Sequence, residues 1–203
     1  GEMMTQSGID TFVGGNIGSP LIGYADRNQK CRWVVAEISS FQLDTIEVFH
    51  PRVAVLLNLA EDHLDRYENF EAYVKSKARL FCNQNRDDVA ILNGGSSLVT
   101  GMQSLVKSRI VYFKPGETLD PFQEGAVIGA DRIVVQTSDA PVGVNDDTKG
   151  MRTWAIERSD IHLTGRHNLE NIAAAALAAT AGGGTPDGIR KAVRRFKGLA
   201  HRL

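Results

Sequence analysis

The stretch VAVLLNLAEDHLDRY, Val53 to Tyr67, decides the fold class. An apolar run passes directly into Glu61, Asp62, His63 and Asp65. Apolar residues that are continuous rather than alternating predict a strand buried on both faces, as in a parallel sheet covered by helices. In open parallel sheets ligands bind beyond the carboxyl ends of the strands. A charged cluster at that point therefore falls where a site belongs.

Working outward, RWVVAEI (residues 32–38) reads as a second strand of this kind, with Glu37 near its end. The connecting SSFQLDTIEVFHP is about as long as a parallel crossover requires and closes on Pro51. YENFEAYVKSKARLFCNQ reads as an amphipathic helix, DVAILNGG as a strand stopped by glycine, SSLVTGMQSLVKS as a helix and RIVYFKPG as a strand. From Gly125 to Glu157 the pattern changes. GAVIGADRIVVQTS and MRTWAIERS read as antiparallel strands joined by a polar loop. HNLENIAAAALAATAGGG is a helix ended by glycine, and TPDGIRKAVRRFKG a second one with Thr185 as N-cap and Pro186 at its first position. The expected architecture is α/β: a mainly parallel sheet flanked by helices, with a small antiparallel annex.

Composition narrows the function classes. The chain has 203 residues, 42% hydrophobic and 23% charged, with a net charge of −1. Nothing there attracts nucleic acid or an anionic membrane. No apolar run approaches the roughly 20 residues of a membrane helix. The opening GEMMTQSGID does not read as a signal peptide. Cys31 and Cys82 have no metal-like spacing and read as reduced thiols of a cytosolic protein.

If the first two strands are neighbours, Glu37 converges with Asp62, His63 and Asp65. Such a set suits a hard divalent ion, most simply Mg²⁺. An acidic surface loop with a histidine N-cap fits the same spacing. On the next helix, Phe70, Tyr73, Val74, Leu80 and Phe81 form an apolar stripe that also passes through Lys77. Lys75 and Arg79 fall elsewhere and read as solvated charges. A lysine on a buried stripe either extends its head to water or is held where it can lose its proton and react. Asn16 lies among glycines that permit close backbone approach, or simply form a loop. Ser39 and Gln42 suit either substrate hydrogen bonding or a helix start. Asn168 and Asn171 share a helix face and present amides that match both edges of a base; Asn168 also reads as an N-cap. His167 supports the turn.

Six motifs occur in order: GGNIGSP, AEISSFQLDT, NLAEDHLDRY, YVKSKARLF, TGRHNLENIAAA and GLAHR. Together they resemble the Mur ligases, the ATP-dependent amide-forming enzymes of peptidoglycan synthesis. The resemblance runs from Gly14 to the last residue and is weakest between 95 and 159. Any one motif is weak; six in register are specific. SSFQL is similar to the form in members that add D-glutamate to UDP-N-acetylmuramoyl-L-alanine.

The resemblance implies a central ATP-binding domain over residues 1–198, related to phosphate-loop NTPases, with 199–203 opening a hinge to a C-terminal domain. It implies acyl phosphate formation from ATP, then displacement of phosphate by the amine of D-glutamate. Glu37 and His63 would be Mg²⁺ ligands at two neighbouring sites. Lys77 matches the family lysine carbamylated by CO₂, which turns a cation into an anionic oxygen ligand. Asn16, Ser39 and Gln42 would contact the UDP-substrate, and Asn168 and Asn171 the adenine of ATP. The setting implied is the bacterial cytoplasm, in cell-wall synthesis and cell division, with neither nucleic acid nor membrane as partner.

No G-x-x-x-x-G-K-[ST] occurs in these residues. The expectation is an N-terminally truncated domain that does not ligate by itself and whose open sheet edges favour self-association. Other readings are a sibling ligase or a folylpolyglutamate synthetase, against which SSFQL argues. A non-catalytic nucleotide- or sugar-binding module would not need Glu37, His63 and Lys77 together. A metal-dependent hydrolase built on Asp62, His63 and Asp65 would want more histidines in ligand spacing, and His50, His162, His167 and His201 are scattered.

Overall fold

The computed structural model describes residues 1–26, 30–60, 66–120, 123–138 and 150–198. Its strands are β1 (Thr11–Gly15), β2 (Trp33–Glu37), β3 (Val53–Leu56), β4 (Val89–Asn93), β5 (Arg109–Pro115), β6 (Gly125–Ile128), β7 (Arg132–Ser138) and β8 (Met151–Glu157). Its helices are α1 (Glu2–Gln6), α2 (Ile22–Ala25), α3 (Ser40–Asp44), α4 (Phe70–Ala78), α5 (Ser97–Thr100), α6 (Arg166–Ala181) and α7 (Pro186–Arg195).

β3 to β8 lie side by side in chain order in a six-stranded sheet, parallel from β3 to β6 and antiparallel from β6 to β8. The antiparallel strands therefore extend the main sheet instead of forming a separate annex. β1 and β2 pair in parallel as a two-stranded ribbon of their own.

Alternation along the strands sorts the core into two layers. Val53, Val55, Val89 and Ile91 face α6 and α7; Ala54, Leu56, Ala90 and Leu92 face α4 and α5. Phe81 and Phe113, both 0% exposed, anchor the two layers; each such side chain contributes about 1.5–3 kcal/mol. Buried Ala173, Ala174, Ala176 and Ala179 let α6 lie close against the sheet. α7 starts as its sequence predicts, with Thr185 Oγ1 accepting from the Gly188 amide at 3.1 Å. α1 crosses α7 where Gly188 leaves room: a Cβ there would stand 2.3 Å from Ser7 Oγ.

Three expectations change. First, β2 is not buried on both faces, because it has a partner on one side only; Val34 and Val35 are 38% and 36% exposed. β3 alternates and sits at the sheet's edge, and the strand buried at every residue is β4, which has neighbours on both sides. Second, β2 and β3 are not hydrogen-bonded neighbours; the crossover between them joins two sheets. Third, the helix expected over 96–108 is one turn of α5 and a 3₁₀ turn at Gln103–Leu105, interrupted at Gly101, a poor helix former. Among the described residues no helix is long and apolar enough to cross a membrane.

Candidate active site

The segment after β2 runs alongside α4. Ser40 faces Ser76, Leu43 and Ile46 face Arg79, Glu47 and Phe49 face Asn83, and Pro51 faces Gln84. Pro51 precedes β3, so the base of the sheet lies at the Gln84 end, and Ser40 and the tip of β2 lie toward the carboxyl ends. α6 is oriented the same way. Its last turns, Leu177, Thr180 and Ala181, line a small cavity with Val89 and Arg109 at the starts of β4 and β5. Its first turn therefore points to the carboxyl ends.

Glu37 stands exposed at the end of β2. Its carboxylate takes no hydrogen bond or ion pair among the described residues. The turn after β1 clasps its backbone: the Asn16 amide donates to the Glu37 carbonyl at 2.7 Å. Gly15 makes this possible, with φ at 118° and a hypothetical Cβ only 2.2 Å from that carbonyl oxygen. Asn16 and Glu37 are thus brought side by side, with the Asn16 side chain exposed.

Ser39 and Gln42 form a reciprocal capping box on α3. Ser39 Oγ accepts from the Gln42 amide at 3.3 Å, and Gln42 Oε1 accepts from the Ser39 amide at 2.9 Å. The helix-start reading holds for both. The side-chain NH₂ of Gln42 is left over from this box.

α4 separates its lysines clearly. Lys75 is a surface residue paired with Glu71 at 3.0 Å, both about three-quarters exposed. Lys77 is half-buried, its Nζ 5.7 Å from the centroid of the Tyr73 ring. Arg79 is not a solvated charge. It is half-buried and donates to the carbonyls of Leu43 at 2.7 Å and Ile46 at 2.6 Å, ending α3 as a capping cation does. The signal for this face was present: Ser76, Arg79 and Asn83 recur at helical spacing.

On α6 the N-cap is Gly165, with φ at 91°, and not Asn168. Asn168 lies within the first turn, half-buried, and its Nδ2 donates to the Thr164 carbonyl at 2.7 Å. That leaves its side-chain oxygen without a donor among the described residues. Asn171 is exposed one turn on.

Glu61, Asp62, His63 and Asp65 lie outside the described residues. Among the described residues, no three histidine, cysteine or acidic side chains gather closely enough to hold a metal. What is described fits a hard cation in part, through an open carboxylate at Glu37. Asn93, 5% exposed, donates from Nδ2 to the Leu57 carbonyl at 3.0 Å and so ties the exit of β3 to the end of β4. Sequence reasoning missed this amide because it sits inside an apolar strand.

Comparison with known proteins identifies the family and the fold. A family model described as the Mur ligase middle domain matches residues 13–179. UDP-N-acetylmuramoylalanine--D-glutamate ligase of Desulfosudis oleivorans is 48% identical over 203 residues, which are 100% of this chain and 41% of that protein. The enzyme of the same name from Desulfatibacillum aliphaticivorans is 46% identical over the same span, 42% of its length. The chain thus spans about two fifths of the length of these curated relatives. Among solved structures, MurF from Acinetobacter baumannii superposes with a TM-score of 0.65 at 17% identity, over 100% of this chain and 44% of that one. MurF from Thermotoga maritima in complex with ADP superposes with a TM-score of 0.59 at 15% identity, over 98% and 45%. The structural likenesses fix the fold, and the family match covers most of the sequence: this chain belongs to the Mur ligase middle domain family.

Proposed function

We propose that this chain is the central domain, residues 1–198, of a bacterial cytoplasmic ligase that joins D-glutamate to UDP-N-acetylmuramoyl-L-alanine at the expense of ATP. The observation that carries the reading is the identity of 48% with a D-glutamate ligase over every residue of this chain. Glu37 and His63 would hold Mg²⁺ at two neighbouring sites, and Lys77, as a carbamate, would add anionic oxygen ligands beside them. The metal, when bound, offsets negative charge developing on the phosphoryl and acyl oxygens.

The chain's own groups have definite tasks. Asn168, with its NH₂ held by Thr164, presents an oxygen to the amino group of adenine, and the exposed Asn171 supplies the complementary donor. Asn16 and the free NH₂ of Gln42 donate to the UDP-substrate. Ser39 keeps Gln42 in place through the capping box.

The test is phosphate release from ATP and Mg²⁺ by a protein of the relatives' length carrying this domain. Release that requires both UDP-N-acetylmuramoyl-L-alanine and D-glutamate is expected. Release with a different amino acid, or none, contradicts the assignment. The 203 residues alone contain no phosphate-cradling motif and are expected to be silent in this assay. Self-association is a further expectation, supported by the one-sided pairing of β3 and the 53% exposure of Val13 on β1. A sedimentation profile that stays monomeric at high concentration would count against it.

A further inference from the structure

The three candidate metal-side residues sit on three stretches of chain: Glu37 at the end of β2, His63 in the segment leading to Tyr67, and Lys77 on α4. One hydrogen-bonded node touches all three stretches. Ser76, the neighbour of Lys77, is 3% exposed, and its Oγ donates to the carbonyl of Ser40 at 3.0 Å, just beyond Glu37. Tyr67, shortly after His63, places its phenol oxygen 3.1 Å from Ser76 Oγ and donates to Asp44 Oδ2 at 2.8 Å. The Tyr67 ring is stacked on Phe41 with centroids 6.0 Å apart and meets Tyr73 edge-on at 5.6 Å.

Counting protons identifies the fixed point. Tyr67 and Ser76 have one hydroxyl hydrogen each, yet three contacts are drawn between Asp44, Tyr67, Ser76 and Ser40. Ser76 Oγ donates to the buried Ser40 carbonyl, so the hydrogen available for the Tyr67–Ser76 contact is that of Tyr67. The Tyr67 hydrogen divides between Ser76 and Asp44, whose contact is exposed. Ser76 therefore bonds α4 directly to the backbone of α3, and Tyr67 reaches both Ser76 and Asp44.

α3 and α4 lie against one another, with Leu43 and Tyr73 buried at 1% and 7% exposure; apolar packing alone resists separation but tolerates sliding. Directional bonds to one backbone carbonyl do not. We propose that Ser76, buttressed by Tyr67, is a positioning residue that sets the separation between Glu37 and Lys77. The purpose of that separation, a shared metal, rests on the proposed function; the separation itself can be measured without it.

The experiment uses the 203-residue chain with Cys31→Ser and Cys82→Ser, spin labels on Glu37→Cys and Lys77→Cys, and distances read by pulsed dipolar spectroscopy. With Ser76 present a single narrow distribution is expected. Ser76→Ala should shift or broaden it, Ser76→Thr, which keeps the hydroxyl, should restore it, and Tyr67→Phe should broaden it less. Thermal unfolding is recorded for each variant. A lowered melting transition with an unchanged distance distribution would make Ser76 an ordinary stabilising residue and overturn the proposal, as would a distribution already broad in the parent. If Ser76→Ala does not fold, Tyr67→Phe, lacking only the phenol oxygen, carries the same reading. A protein of the relatives' length whose Mg²⁺ dependence is unmoved by Ser76→Ala, while the distance shifts, would uphold the positioning and count against the metal.

Discussion

The two ends of the six-stranded sheet treat their polar groups in opposite ways. At the amino ends of β3, β4 and β5 the buried Asp88, Gln84 and Ser108 side chains are held by partners, although Asp88 Oδ1 has only the ion pair with Arg52 and no hydrogen bond. Asp88, 0% exposed, meets His50 Nε2 at 2.5 Å and the Arg52 Nε at 3.4 Å, and accepts from the Asn85 amide at 2.8 Å. Gln84, 2% exposed, donates to the carbonyls of Pro51 at 2.9 Å and Val89 at 3.2 Å and accepts from Ser108 Oγ at 2.8 Å. At the opposite end, Glu37 and the side chains of Asn16 and Asn171 are left facing water. A buried polar group without partners is costly, so a chain spends its internal partners on the end that only has to hold. The open end is the one to which the proposed function assigns the binding groups.

That contrast can be broken by substitution. Glu37→Gln should lower D-glutamate-dependent turnover on the order of 10²-fold or more in a protein of the relatives' length, while stability in urea moves by no more than about 0.5 kcal/mol. Equal losses of stability and rate would erase the distinction between the ends. Asp88→Ala should do the reverse. We expect a loss of about 2–3 kcal/mol, below that of a fully buried pair because His50 and Arg52 both reach solvent, with a thermal transition lowered by roughly 2–4 °C per kcal/mol. Gln84→Met, close in shape, leaves Ser108 and two carbonyls short of a partner and should cost about 1–3 kcal/mol in the same melt. The smallest effect belongs to Lys75→Ala, at about 0.3–0.5 kcal/mol for an exposed i,i+4 pair, with turnover unchanged; a large activity loss there would reverse the choice between Lys75 and Lys77.

Local signals explain what the sequence made legible. Apolar runs gave β2 to β8, and cap chemistry gave the helix start at Thr185 and, as one of two readings, at Ser39, because each depends on residues a few positions apart; β1, α1 and α2 were not read. Neighbour relations were not legible. Val34 and Val35 look like core in isolation, yet their exposure depends on which strands flank β2, a property of distant residues. Arg79 and Ser76 escaped for another reason. They pair with backbone carbonyls, which carry no side-chain identity and leave no trace in hydropathy. His50 and Asp88 pair side chain to side chain and were invisible because they are far apart in sequence.

The central claim is that the carboxyl end of the sheet, at Glu37 and Lys77, is a divalent-metal site. Titrating Mn²⁺, a paramagnetic stand-in for Mg²⁺, into the ¹⁵N-labelled chain and following amide broadening tests it directly. Selective broadening that begins at Asn16, Glu37 and the residues around Lys77, with His50 and Asp88 at the opposite end untouched, is the result expected. Broadening centred on the His50–Asp88 end, or spread evenly over the surface acids, would contradict it.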